Sequence, residues 1–275
     1  MSGCVSESAT DVLKRWQLTR LETIHQNRVD YGQRPSSMTV LTYYWGADAS
    51  LPDTQFWRIE SAFRETWLRC GMVKSVIVTD KPTFEVERFA ETFSNVEIQI
   101  EPSLVAGNLT PMSIDCDSRF ADRFNTDYLM VIQDDGFPLR EGLDEFLGKW
   151  DFIGAPYVRD KFLPRLLARM FNLWTANGGF SIRSMKMCQM AAELWRKKYC
   201  HFTGDEHWIG EDAYYTETLL KHSWRYNREM RMADNRTALR FAYDCVVNQP
   251  VKELPFGFHR AETFAEFVNR GWLQV

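Results

Sequence analysis

Apolar and polar positions follow two rhythms along the first half of the chain. MTVLTYYW, from Met38, reads as a β-strand. In the stretch 56–68, Phe56, Ile59, Phe63 and Trp67 recur at helical spacing. SVIVTD (75–80) is a short β-branched strand that ends at an Asp, TFEVERFAETF a helix and VEIQIEP a further strand. IDCDSRFADRF reads as another helix, and DYLMVIQ (127–133) is the strongest strand signal in the chain. The second half is less regular. DFIGAPYV predicts a strand entering a loop, and NGGFSIR (177–183) a glycine turn feeding a strand. MKMCQMAAELWRKKY and EDAYYTETLLKH predict helices, and PFGFHRAETFAEFVNRGW a loop and a short helix.

Strand-helix alternation of this kind predicts an α/β fold with a mixed, mostly parallel sheet and helices on both faces. Ligands bind such sheets outside the carboxyl ends of the strands. That places Asp80 and the pair Asp134-Asp135 on the expected binding edge. Residues 1–37 are polar, with one amphipathic helix expected around Val12–Ile24, and read as an arm set apart by the turn-rich Tyr31-Gly-Gln-Arg-Pro-Ser-Ser.

Composition narrows the class. The 275 residues are 45% hydrophobic and 25% charged, which excludes a disordered or collagenous chain. A domain this long buries roughly three-quarters of its unfolded surface and needs neither disulfide nor metal to hold a core. The net charge of -4 gives no support to a nucleic-acid partner. Cys4, Cys70, Cys116, Cys188, Cys200 and Cys245 match no zinc spacing and read as free thiols in a reducing compartment. No run approaches about 18 apolar residues, and the first residues hold no signal-like segment. The expectation is therefore a cytoplasmic protein. Ten Trp, 10 Tyr and 19 Phe supply either a large aromatic core or platforms for a base or sugar face, with the core the default for any one of them.

Four local signals carry chemistry. Gln133-Asp134-Asp135-Gly136 follows a buried strand, and carboxylates there suit a divalent cation; a capping acidic turn explains the same residues. Asn177-Gly178-Gly179 lets backbone approach a ligand, or forms an ordinary tight turn. Glu211 and Asp212 open a predicted helix, where the helix dipole alone favours them, or supply a general base at a pocket rim. His259, in an apolar glycine-containing loop, reads as a packed histidine or as a ligand. Tyr43 and Asp80, at early strand ends, are the positions for base or ribose contact.

The order of these signals resembles that of GT-A-fold glycosyltransferases. WIGEDAYY is similar to the Gly-Glu-Asp segment of the beta-1,4-galactosyltransferases and to the Glu-Asp-Val segment of the beta-1,3-glycosyltransferases. The run IQDDG, DFIGAPY, NGGFSIRS, GEDAYY and PFGFHR resembles a mainly microbial, GT-A-like family catalogued as a domain of unknown function, over roughly Met38 to Arg260. The resemblance implies a GT-A-like (Rossmann-like) domain over 38–275, with 38–136 the nucleotide-binding half and 137–275 the acceptor-binding half. It implies Mn2+ or Mg2+ held by Asp135 and His259, with Asp134 beside it toward the donor ribose or a metal-bound water. It implies Asp212 as base, Glu211 binding acceptor or orienting the base, and Gly178 and Gly179 under the donor sugar with Asn177 nearby. One departure is plain. The common metal motif of GT-A enzymes is Asp-x-Asp, whereas here the acids are adjacent, so Gln133 rather than Asp134 shares a face with Asp135 if the segment is extended. The metal then has a single protein carboxylate and is completed by nucleotide phosphates.

The activity so implied is inverting transfer of a sugar from a nucleotide-sugar donor, a UDP-sugar by expectation, to a glycan or lipid-linked hydroxyl. Residues 157–174 combine Arg159, Lys161, Arg165 and Arg169 with apolar side chains, which suits either a surface helix packed on the core or peripheral contact with the inner face of a membrane. The run Arg225, Arg228, Arg231, Arg236 and Arg240 reads as a solvated helix face rather than a phosphate site. A nucleotide-sugar phosphohydrolase and a catalytically degenerate nucleotide-sugar or glycan-binding domain are the alternatives.

Overall fold

The computed structural model describes residues 7–27, 30–32, 37–44, 56–101, 126–157, 175–199, 215, 230–244 and 251–274. The β-branched and aromatic runs of the first half become strands β1 (Met38–Tyr44), β2 (Ser75–Thr79), β3 (Val96–Ile100) and β4 (Tyr128–Val131). Helices α2 (Phe56–Cys70) and α3 (Phe84–Thr92) alternate with them. Thr83 caps α3 by accepting from the Val86 amide. β1 pairs in parallel with β2 and with β4, and β2 with β3, so four parallel strands stand in the order β3-β2-β1-β4. β6 (Thr175–Ser184) then joins β4 antiparallel, and β5 (Phe152–Tyr157) pairs antiparallel with β6 at the far edge. The result is a six-stranded mixed α/β sheet whose strand order reverses between β1 and β4.

Strand alternation divides the core between the two faces. Val40, Ile77, Met130, Ile132 and Ile182 point to one side, beneath α1 (Ala9–Asn27), α2, α3 and the C-terminal helix α6 (Ala261–Asn269). Leu41, Val76, Val78, Leu129 and Val131 point to the other, where α4 (Met185–Tyr199) supplies Met187, Cys188 and Ala191, and Tyr215 joins them. The aromatic supply goes largely to the first face. Trp67 stacks on Phe89 with ring centroids 5.8 Å apart, and Phe180 stacks on Phe241 at 4.9 Å. Cys70 and Cys188 are buried.

Two expectations change in the structure. The glycine turn predicted at 177–183 is part of the continuous strand β6, and the pairing register with β5 shifts between Gly154 and Pro156. The extra residues are taken up by an irregularity in the ladder rather than by a turn. Gly154 permits it, because a Cβ there would stand 2.3 Å from the Asn177 carbonyl oxygen. The N-terminal segment, read as an arm, packs its helix α1 against α6 and α2. Leu13 is fully buried, and the Trp16 ring lies 5.0 Å from Phe264 and 6.0 Å from Phe137, centroid to centroid.

Beyond β4 the chain runs alongside its own C-terminal segment. Short strands β7 (Ala242–Tyr243), directly after helix α5 (Asn235–Phe241), and β8 (Gly257–Phe258) pair in parallel, and Pro138 bridges to Gly257. Gly257 is required there, since a Cβ would meet Phe180 Cε1 at 2.2 Å. Among the described residues no helix is long and apolar enough to cross a membrane. The predicted helix over IDCDSRFADRF and nearly all of the basic stretch 157–174 lie outside the described residues.

Because α1 contributes to the same core as the sheet, Leu13→Ala is expected to cost about 2–5 kcal/mol. Urea unfolding of the full chain reads this directly, and a solvated arm would tolerate the change.

Candidate functional site

The parallel strands end on one edge of the sheet, and β4 delivers the acidic pair to it. Directly after β4 the chain reverses. The Gln133 amide donates to the Gly136 carbonyl (2.9 Å) and the Gly136 amide to the Gln133 carbonyl (3.1 Å), with Asp134 and Asp135 at the tip. The turn sends the two acids to different partners. The Asp134 carboxylate meets Arg58 of α2, Nη1 to Oδ2 2.8 Å, while Gln17 of α1 donates from Nε2 to the Asp134 carbonyl oxygen at 2.8 Å. Asp135 faces the C-terminal segment, its Oδ1 3.9 Å from His259 Nε2, and its carbonyl accepts from the Arg260 amide at 2.8 Å.

His259 is the meeting point. Its Nε2 lies 3.1 Å from Gln133 Oε1 and its Nδ1 3.3 Å from Asp244 Oδ2. The ring packs on glycine: a Cβ at Gly179 would stand 2.2 Å from Nε2 and 2.6 Å from Gln133 Oε1, and one at Gly136 would stand 3.1 Å from Cδ2. The Gly179 close approach, expected to serve a donor sugar, is thus made to the imidazole and the Gln133 amide.

Behind His259 sits Asp244, fully buried at the end of β7. Its Oδ2 also accepts from Asn177 Nδ2 (3.1 Å) and lies 3.2 Å from Arg260 Nε. Asn177 Oδ1 in turn accepts from the Gly179 amide at 2.8 Å, which fixes the irregular part of β6. Arg260 has φ 79 and ψ 141, the one positive φ outside glycine among the described residues. Such a backbone costs about 1–3 kcal/mol and persists only where its surroundings hold it. Here Asp135 and Asp244 do so.

Two titrations are displaced. Burial pushes Asp134 up to about 6, the neighbouring Asp135 charge adds to this, and Arg58 opposes it. For His259, burial works to lower the pKa, but the Asp244 hydrogen bond and the charges of Asp135 and Asp244 outweigh it, so the ring holds its proton above its ordinary range.

Asp134, Asp135, Asn177, Gly179 and His259 are therefore brought together by the fold. Gly178 belongs to the same bend, its carbonyl accepting from Ser181 Oγ and Arg183 Nη2. Tyr43, on β1, and Asp80, just past β2, lie on neighbouring strand ends of the same edge. Glu211 and Asp212 lie outside the described residues. Tyr215 of the same GEDAYY fragment is helical and buried, its ring centroid 4.6 Å from Arg183 Cζ. In the arginine run, Arg225 and Arg228 also lie outside the described residues, while Arg231 lies against Asp151 and Arg240 against Glu145. Sequence reading missed Asp244, Arg58 and Gln17. Asp244 had a signal, since it directly follows the short apolar run Phe241-Ala242-Tyr243. Arg58 and Gln17 had none, because their contacts join residues far apart in the chain.

Among the described residues no three His, Cys, Asp or Glu side chains form a ready-made metal cluster. Asp135 and His259 nonetheless suit a hard divalent ion. Their donor atoms are 3.9 Å apart, near the span of two ligands each about 2.1 Å from one cation. A carboxylate on the far nitrogen of the imidazole is the usual support of a metal-binding histidine. A match to the family described as protein of unknown function (DUF5672) spans residues 108–259, more than half of the chain.

The chain belongs to this family. The family region begins before the acidic turn and ends at His259, so it contains Asp135, Asn177, Gly179 and Asp244 but not Gln17, Arg58 or α6. Comparison with the curated proteins finds none similar to it.

Two outcomes are expected. Carboxyl 13C NMR titration should place Asp134 near 6, with Arg58→Met moving the midpoint higher and Asp135→Asn moving it lower. Asp244→Ala, which strips the buried charge from His259 and Arg260, should lower the unfolding free energy by about 3–5 kcal/mol in a denaturant titration.

Proposed function

We propose that the chain is a metal-dependent inverting glycosyltransferase of the GT-A, Rossmann-like type, moving a sugar from a nucleotide-sugar donor, by preference a UDP-sugar, to a glycan or lipid-linked hydroxyl. The observation that carries this reading is the pairing of Asp135 with His259, 3.9 Å apart at the carboxyl edge beside the strand-order reversal. That reversal is where open α/β sheets receive nucleotides. Asp135 and His259 would hold Mn2+ or Mg2+, and the ion would supply positive charge against the departing nucleoside diphosphate. Few protein donors are expected where phosphate oxygens provide the rest of the shell.

The chain's own groups divide the remaining tasks. Asp134, pinned by Arg58 and Gln17, keeps the turn in place so that Asp135 stays opposite His259. Asn177, Gly178 and Gly179 form the floor beside that pair, and Tyr43 and Asp80, at the strand ends of the same edge, would contact the base or ribose. Asp212, three residues before the docked Tyr215, takes the proton from the acceptor hydroxyl as the anomeric carbon is attacked, with Glu211 beside it. One base opposite the leaving group gives a single displacement with inversion. A cytoplasmic enzyme that reaches its acceptor at a membrane face through 157–174 fits the same reading.

Thermal shift with nucleoside diphosphates and nucleotide sugars, with and without Mn2+, tests it. Ligand at about 100 times Kd adds about 2.7 kcal/mol, which for a domain of this size is a rise of roughly 5–10 °C. The rise should require Mn2+, vanish with EDTA and be lost in Asp135→Asn and His259→Ala. A folded wild-type chain with no shift for any nucleotide contradicts the proposal, as does free sugar released at full rate without an acceptor.

A further inference from the structure

Gln133 is the polar side chain of the acidic turn that the proposed mechanism leaves unused. Its Oε1 lies 3.1 Å from His259 Nε2, and both atoms face the bare Cα of Gly179, where a Cβ would stand 2.6 Å and 2.2 Å from them. Asp135 Oδ1 approaches the same Nε2 at 3.9 Å. Amide carbonyl oxygens are ordinary ligands of hard divalent cations. Two donors on neighbouring positions of an octahedral shell, each about 2.1 Å from the ion, stand about 3 Å apart. The Gln133–His259 separation matches that edge. From the turn, Gln133 and Asp135 both approach His259 while Asp134 is drawn away to Arg58.

We infer that Gln133 is a neutral oxygen ligand of the cation, the third protein donor beside Asp135 and His259, an assignment that rests on the metal-dependent reading above. The two-residue spacing of a paired-carboxylate site is kept, but with an amide in place of the first acid. The protein then offers one negative charge rather than two. The cation is held weakly by the protein alone and firmly once phosphate oxygens complete its shell, so metal and nucleotide bind as a unit.

A purely structural Gln133 makes the opposite prediction. If its amide only accepts a hydrogen bond from the imidazole, it competes with the metal for Nε2, and removing it leaves cation affinity unchanged or improved. Mn2+ alone, titrated into the full chain and followed by the electron paramagnetic resonance signal of the free ion, separates the two. Gln133→Met, similar in length but without an oxygen, should bind Mn2+ at least about tenfold more weakly than wild type. Gln133→Glu, isosteric and anionic, should bind it about tenfold more tightly, and it decides the matter if Gln133→Met does not fold by circular dichroism. Wild-type binding with unchanged or tighter binding in Gln133→Met, or with unchanged binding in Gln133→Glu, overturns the assignment and leaves the metal reading standing. A wild-type chain that takes up no Mn2+ at millimolar concentration overturns both.

Discussion

A carboxylate with no access to water must be neutralised where it stands, and Asp244 imposes that condition on everything around it. Its three partners come from two parts of the chain: Asn177 from the irregular region of β6, and His259 and Arg260 from the segment after β8. Satisfying one buried charge therefore fixes the bend of β6, the orientation of the imidazole and the positive φ at Arg260. Arg260 carries the constraint onward, because its amide holds the carbonyl of Asp135 and its own carbonyl receives the first amides of α6. The acidic turn is gripped from the other side by Arg58 and Gln17. The edge of the sheet is thus rigid for electrostatic reasons rather than by apolar packing alone.

The sequence carried the sheet well and the site partly. Hydrophobic period and β-branching reported β1, β2 and β4 because each buries residues on both faces, and β3 because its apolar residues alternate with polar ones, which leaves a strong local pattern. The glycine pair at 178–179 misled, since glycine signals a turn and a strand irregularity equally, and only the register shift against β5 beside Gly154 distinguishes them. The N-terminal helix appeared separable because its outward face is polar, although Leu13 and Trp16 anchor it in the core. Asp135 and His259 were legible from strand-end logic and motif order. The grip of Gln17 on a carbonyl 117 positions away was not, because side-chain to backbone contacts of that range leave no periodic trace.

Placement along the chain has a further consequence. The family region runs from 108 to 259 and holds Asp135, His259 and the buried Asp244, whereas α1 and α2 lie outside it and brace the turn. The acidic turn and its bracing thus come from different parts of the chain. Burial and then the neighbouring Asp135 charge raise the pKa of Asp134, and the Arg58 contact opposes them without cancelling them.

On the proposed reading His259, oriented by Asp244, presents Nε2 to a divalent cation shared with Asp135. Pulsed electron paramagnetic resonance on Mn2+-loaded protein grown with 15N-histidine tests it most directly. A directly bound 15N coupling is expected, and it should disappear in His259→Ala while the other histidines remain labelled. Bound Mn2+ with no histidine coupling, or a coupling that survives His259→Ala, would contradict it.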